Sequence, residues 1–414
     1  MDRLPLSDQL PYEFLPPRLD RRLVGLVRPY RSRLLRREHL VRSIEVRGVE
    51  RLRDLLNRGD GILVAPNHSD RADGLVLLEL ADRVGRPFCA MAAHQIFAGS
   101  GGVRRWLFPR LGIFPVDREG TDLAAFKAGV DILTTAANPL LVFPEGEVYH
   151  TADRLTPIRD GAAAMATTAA KRVAESGRTV WIVPMGLKYR FLDETDPRPE
   201  FARIVDRLED RFGLWRDDRQ PLIERIYQVA EATLILKEWE HLGSIGEGPL
   251  PPRLCRLTTH LLDAIGERRQ RVRKVDPVPV RVKDLRRCCL DDLAGSPTPE
   301  VARQARRDLH DIFVAIQAYS YPGNYMREGP TWERVSEVLM KLEEDVLGAA
   351  VGAPRGDRRA ILAIGEPIDA GAMLKATGKL RNAVPAISAE VERRIQGELD
   401  AIGMGRPYAE SSAT

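Results

Sequence analysis

Between about residues 43 and 190, short apolar runs alternate with longer segments whose apolar positions recur at helical spacing. "SIEVRG" precedes the helical "VERLRDLLNRG", and "ILVAP" precedes "GLVLLELADRVG". "RPFCAM" precedes an Arg-rich helical piece, and "LGIFPV" precedes "TDLAAFKAGVDILTTAA". "PLLVFPEG" then precedes "DGAAAMATTAAKRVAESG", and "TVWIVPMGLKY" follows. Strands alternating with helices predict an α/β fold, a mostly parallel sheet covered by helices on both faces. From 193 to 355 the pattern is helical alone, punctuated by "GSIGEGPLPP", "AGSPTPE" and "YSYPGNY". A last apolar strand, "AILAIGEPI" at 360–368, precedes a terminal helix, "AISAEVERRIQGELDAIG". The division this suggests is a basic N-terminal arm (1–42), an α/β core (43–192), a large α-helical insertion (193–355), and a segment (356–414) returning a final strand to the core before the C-terminal helix. A separate C-terminal unit is the alternative.

Composition changes this picture at one place. Across 414 residues, 63 basic and 59 acidic side chains leave a net charge of +4, which argues for no particular partner. Yet Arg18 to Arg47 holds ten arginines against Asp20, Glu38 and Glu45, interleaved with Leu, Val and Tyr. Such a segment suits a helix lying on an anionic membrane surface, and equally a solvated basic arm. No nucleic-acid module accompanies it, so no nucleic acid is expected. No apolar run approaches the roughly 20 residues of a membrane span, and the N-terminus lacks the apolar stretch of a signal peptide. The expectation is a cytoplasmic protein, peripheral on the inner face of the cell membrane. Cys89, Cys255, Cys288 and Cys289 match neither a disulfide framework nor a metal-binding spacing.

Candidate chemistry collects where strands end. "ILVAPNHSDRADG" places His68, Asp70 and Asp73 behind a covered strand, the sheet edge at which ligands of open α/β folds bind. On one continuous helix, five steps of about 100° would put His68 and Asp73 on different faces. With His68 on the turn and Asp73 opening the helix, the carboxylate can curl back to one imidazole nitrogen and fix its tautomer. Asp70, in the bend, suits an Asx turn or N-cap, where substitution costs about 1 kcal/mol or less. The bland reading makes either aspartate a plain cap and His68 a loop residue. Two further strand ends carry Asp117 and Arg118, then Glu145, Glu147 and His150. An arginine there suits a phosphate. No serine or cysteine stands as an elbow nucleophile, so an acceptor hydroxyl activated by His68 would attack directly. Glu147/His150 and Glu238/His241 both have Glu-x-x-His spacing, which raises a di-metal carboxylate centre as an alternative.

His68, four intervening residues and Asp73, followed in order by "FPVDR", "FPEG" and "VPMGLKY", resemble the motifs of the glycerolipid acyltransferases, the glycerol-3-phosphate and 1-acylglycerol-3-phosphate (lysophosphatidate) O-acyltransferases. The resemblance covers residues 40–190, extends to 359–375, and does not reach the helical insertion. It implies an acyltransferase of phospholipid biosynthesis that moves a fatty acyl group from acyl-CoA or acyl carrier protein to a hydroxyl of a glycerol-phosphate or lysophospholipid acceptor. The thioester is a co-substrate, and no cofactor or metal is implied. By the same resemblance His68 is the general base, Asp73 its partner, and Arg118, Glu145 and Gly146 hold the acceptor. The chain departs from the pattern where Ser69 directly follows His68 and where "EVYH" stands in place of Thr-Arg-Ser after "FPEG", removing an arginine. Lys127, Arg154, Arg159 and Lys188 are the candidates to replace that charge. A protein keeping this pocket only to bind lipid or phosphate, without catalysis, is the other reading.

Overall fold

The structure is a computed structural model that describes residues 12–97, 102–118, 122–217, 219–295, 297–348, 352 and 354–409. The chain opens with helix α1 (Arg21–Arg37), capped by the Asp20 carboxylate, and strand β1 (Val41–Arg47). Next come α2 (Val49–Arg58), β2 (Gly61–Pro66), α3 (Asp73–Arg83), β3 (Cys89–Ala93), α4 (Val103–Arg110), β4 (Ile113–Val116), α5 (Leu123–Thr135), β5 (Leu140–Leu141), α6 (Gly161–Val173) and β6 (Val180–Phe191). Six helices follow without a strand: α7 (Arg198–Phe212), α8 (Leu222–Leu242), α9 (Leu250–Arg268), α10 (Val278–Ala294), α11 (Pro299–Tyr319) and α12 (Trp332–Leu347). The chain closes with β7 (Arg358–Ile364), β8 (Ile368–Asp369), α13 (Ala370–Thr377) and α14 (Leu380–Ile402).

The strands form one sheet in the order β1-β7-β6-β2-β5-β3-β4, with β8 beside β6. Pairing is parallel from β6 through β2, β5 and β3 to β4 and between β1 and β7, whereas β7 runs antiparallel to β6. The chain thus re-enters the sheet after the helical block. Central β2 is buried at all six positions, as its unbroken apolar sequence requires of a strand covered on both faces. One apolar layer joins the sheet to α5, α6 and α14 (Leu63, Leu133, Met165, Ile387). The other joins it to α2 and α3 (Val64, Leu52, Val76, Leu80). Because β2, β5 and β4 are parallel, their C-terminal loops emerge along one edge.

The helical block has two apolar cores, one among α8, α9, α10 and α11, the other among α7, α8 and α12. It meets the sheet through α12. Glu333 accepts from the Phe191 N–H, Glu337 from the Ala152 N–H, and the Arg334 Nε donates to Asp153 at 2.8 Å.

The basic N-terminal segment is not a free arm, because α1 docks on α3. Arg31 is buried and ion-paired with Asp82 and Glu79, and the Ser32 hydroxyl donates to Glu79 at 2.6 Å. The opposite face of α1 leaves Leu26, Tyr30 and several arginines exposed. Among the described residues, no helix is long and apolar enough to cross a membrane.

Candidate active site

Where β2 ends, Asn67 prolongs the ladder with its side chain, which both donates to the Leu187 carbonyl (3.0 Å) and accepts from the Leu187 N–H (2.7 Å). That bond pins the chain as it leaves the sheet, and His68 is the next residue. α3 begins at Asp73, so the two residues straddle a turn and do not share a helix. The His68 Nδ1 lies 2.9 Å from the Asp73 Oδ2. The same oxygen accepts from the Ser69 and Asp70 N–H groups at 2.8 and 2.9 Å, and the Tyr189 hydroxyl donates to Oδ1 at 2.6 Å.

Asp73 is fully buried at the first position of α3, where the positive end of the helix dipole favours a carboxylate. An acceptor-only group facing Nδ1 keeps the proton there and leaves Nε2 as the free base. The His68 ring is stacked on Phe143 with centroids 4.0 Å apart, and its side chain retains 20% exposure, so the base is oriented yet reachable.

Asp70 does more than turn the chain. One oxygen accepts from the Ala72 N–H at 2.8 Å, as an Asx turn should, but the other meets the Arg358 Nη1 at 2.7 Å in a buried ion pair. Burial raises the Asp70 carboxyl, yet the charge and hydrogen bond of Arg358 outweigh it and hold the pKa down at about 2. Arg358 also lies over the Tyr189 ring, 4.3 Å from its centroid, and its Nε donates to the His39 carbonyl. The small stability cost expected of a cap residue is therefore corrected upward, because loss of either partner leaves a buried charge alone.

Glu145 follows β5, the strand beside β2, and turns inward. Its two oxygens accept from the His68 N–H at 2.6 Å and from the Thr156 N–H at 3.1 Å, with the Thr156 hydroxyl on the second oxygen as well. It thus brackets the backbone of His68 and is 4% exposed. Burial pushes its pKa up to about 7 against those hydrogen bonds.

Gly146, next in the chain, has φ +78°, and a β-carbon there would lie 2.7 Å from the Arg159 Nε. Glycine is required for the turn and for the guanidinium laid over it. Arg118, beyond β4, donates to the Gly146 carbonyl and pairs with Glu147 at 3.0 Å, and Arg159 donates to the Arg118 carbonyl at 3.2 Å. Two guanidinium groups thus gather at Gly146. The Arg118 Nε is buried with no partner among the described residues.

Of the other candidates for the missing arginine, Lys188 is buried against Asp153 at 2.5 Å, Arg154 pairs with Glu328, and Lys127 is exposed on α5. The side chains of the di-metal alternative face protein partners. Glu147 is taken by Arg118, and His150 faces Glu344 at 3.6 Å. Glu238 is held by Arg253, Arg256 and the Gly246 N–H, while His241 lies 3.8 Å from Glu240 and from Asp311. Among the described residues no group of three His, Cys, Asp or Glu could hold a metal ion.

The structure thus brings an oriented histidine to the C-terminal edge of a mostly parallel sheet, with the Arg118 and Arg159 pair gathered at Gly146 after the neighbouring strand. The family model described as Acyltransferase matches residues 43–188, the segment from β1 into β6 that carries His68, Asp70, Asp73, Arg118, Glu145, Gly146 and Arg159, while Tyr189 and Arg358 lie beyond it. This chain therefore contains a domain of the glycerolipid acyltransferase family. No curated protein matches the chain.

Proposed function

We propose that this protein transfers a fatty acyl group from an acyl thioester, acyl-CoA or acyl carrier protein, to a hydroxyl of a glycerol-phosphate or lysophospholipid acceptor. The observation that carries the reading is the 2.9 Å contact between the His68 Nδ1 and a fully buried Asp73, beside the Arg118 and Arg159 pair at Gly146. The acceptor hydroxyl oxygen attacks the thioester carbonyl carbon while the His68 Nε2 takes its proton. Asp73 stabilises the imidazolium that results. The tetrahedral intermediate collapses with cleavage of the C–S bond, and the leaving thiolate recovers the proton from His68. The acceptor's phosphate supplies the anion for Arg118 and Arg159, whose planar forks suit its oxygens.

The enzyme works at a membrane surface, held there by the exposed face of α1, where Arg21, Arg22, Arg33, Arg36 and Arg37 flank Leu26 and Tyr30. Pure protein incubated with acyl-CoA and a panel of glycerol-3-phosphate, 1-acylglycerol-3-phosphate and other lysolipids, with products identified by mass spectrometry, tests the reaction. Acylated product from a phosphate-bearing acceptor is expected. Binding of acceptor without any product would favour a protein that only holds lipid.

A further inference from the structure

Away from His68, the helical block holds a partly open apolar pocket of about 100 Å³ among α8, α9, α11 and α12. Its walls are apolar, with Ala230 and Leu234 from α8, Leu254 from α9, Val314 and Ala318 from α11, and Leu342 from α12. The polar side chains that reach it are already engaged with the protein. Asp345 accepts from the Gln317 amide and the Tyr321 hydroxyl at 2.6 and 2.7 Å and pairs with Lys341. Lys237 pairs with Glu240, and the hydroxyls of Thr233 and Tyr325 donate to the Val229 carbonyl and to Glu337.

Cavities with apolar walls take apolar guests, as closed cavities of roughly 150 Å³ in aliphatic cores do. With its polar groups spent on one another, this one recognises an occupant through apolar surface alone and has no built site for a phosphate or a nucleotide.

We propose that this cavity is a second apolar-chain site, separate from the His68 site, that takes the methyl end of a fatty acyl chain. The choice of an acyl chain among apolar solutes rests on the acyl-transfer reading of the core. The chain can belong to a free fatty acid or to a thioester, since its end is the part that is recognised.

Titration calorimetry with dodecanoate and with dodecanoyl-CoA tests it on wild type, His68→Ala, Ala318→Phe and Ala230→Phe. The two phenylalanine variants fill the cavity from different helices, so one remains if the other fails to melt as a folded protein. Dodecanoate is expected to bind wild type and His68→Ala alike, and to bind the filled variants tenfold or more weakly, the loss expected when a few methylenes are expelled. If the filled variants also weaken dodecanoyl-CoA, the site accepts thioester chains; if only dodecanoate is affected, it takes the free acid. Either result supports an acyl-chain site. Absence of dodecanoate binding to wild type, or equal affinity in the filled variants, overturns it. Loss of binding on filling supports the site even where no acceptor is acylated, a result that would count only against the reading of the core.

Discussion

The sheet edge and the helical block bury comparable numbers of charges and use them differently. In the helical block Glu209, Glu238 and Asp308 are met by arginines that link one helix to another, Arg225 on Glu209, Arg253 on Glu238 and Arg269 on Asp308, whereas Glu333 is held by the Phe191 N–H. Around His68 the buried acids Asp73, Asp70 and Glu145 are met largely by N–H groups of the loop that carries the histidine and by the hydroxyls of Tyr189 and Thr156, with Arg358 on Asp70 as the one arginine among these hydrogen-bond partners. An acid paired with an arginine is neutralised. An acid held by neutral donors keeps its charge available to polarise what it touches, and in this site Asp73 touches an imidazole. The location of buried charge therefore says less about function than the identity of its partners does.

The largest expected effect tests that distinction. His68→Ala should lower transfer about 100- to 10,000-fold, the range for loss of a general base, with little change in melting temperature. Asp73→Asn should give a comparable loss, because the imidazole then lacks both its charge partner and its fixed tautomer. Near wild-type turnover in either variant would remove the dyad from the mechanism.

The next effect separates the two regions directly. Arg358→Met strands Asp70 with the Ala72 N–H as its remaining hydrogen bond, so the variant should lose about 3–5 kcal/mol of stability. Because Asp70 shapes the turn between His68 and Asp73, the transfer rate per folded molecule should fall as well. Arg253→Met leaves Glu238 with Arg256 at 3.0 Å and the Gly246 N–H, so its stability loss should be smaller and its transfer rate unchanged. Urea denaturation and rates normalised to folded protein measure both. A similar drop in rate for the two variants would mean that the helical block is coupled to the site in a way its staples do not suggest.

What could be read from the sequence follows the range of the interactions. The alternation of strands and helices marks local periodicity, and β2, α3, β6 and β7 lie where it puts them. The His68–Asp73 contact spans five residues, so geometry alone suggests it. Tyr189 and Asp73 are 116 residues apart, and Arg358 and Asp70 are 288 apart. Such pairs leave no spacing in a single sequence, and an arginine opening the apolar strand "RRAILAI" was the one available hint. The resemblance marks Glu145 as part of a strand-end motif, but motif position does not show that its side chain turns inward to the His68 and Thr156 N–H groups. The docking of α1 was hidden for a similar reason: its arginines read alike in sequence, yet Arg28 and Arg31 are the ones that meet the acids of α3 among the described residues.

Glu145 offers a test by pH. Its folded-state pKa of about 7 lies above the ordinary 4.5, so the stability it contributes is full below about pH 4.5 and is lost as pH rises through 7. Glu145→Gln cannot ionise. Relative to that variant, wild type should lose about 3 kcal/mol between these pH values and no more above them. Parallel stability curves would mean that the His68 and Thr156 donors solvate the ionised carboxylate fully.

The smallest effect concerns arginines that are spent against one that is not. Arg253 uses its Nε, Nη1 and Nη2 on Glu238 and Glu231. Arg118 directs its Nη1 to the Gly146 carbonyl and Glu147, while its Nε has no partner among the described residues. A guanidinium with an unused donor beside the base can take a phosphate oxygen, and one charge-assisted hydrogen bond is worth about 1.5–3 kcal/mol. Arg118→Ala should therefore raise the KM for a phosphate-bearing acceptor by roughly ten- to a hundredfold and leave the KM for acyl-CoA nearly unchanged. Steady-state kinetics with each substrate varied in turn reads the split. A collapse of acyl-CoA affinity with acceptor affinity intact would move Arg118 to the donor side of the site and leave Arg159 as the remaining candidate for the phosphate.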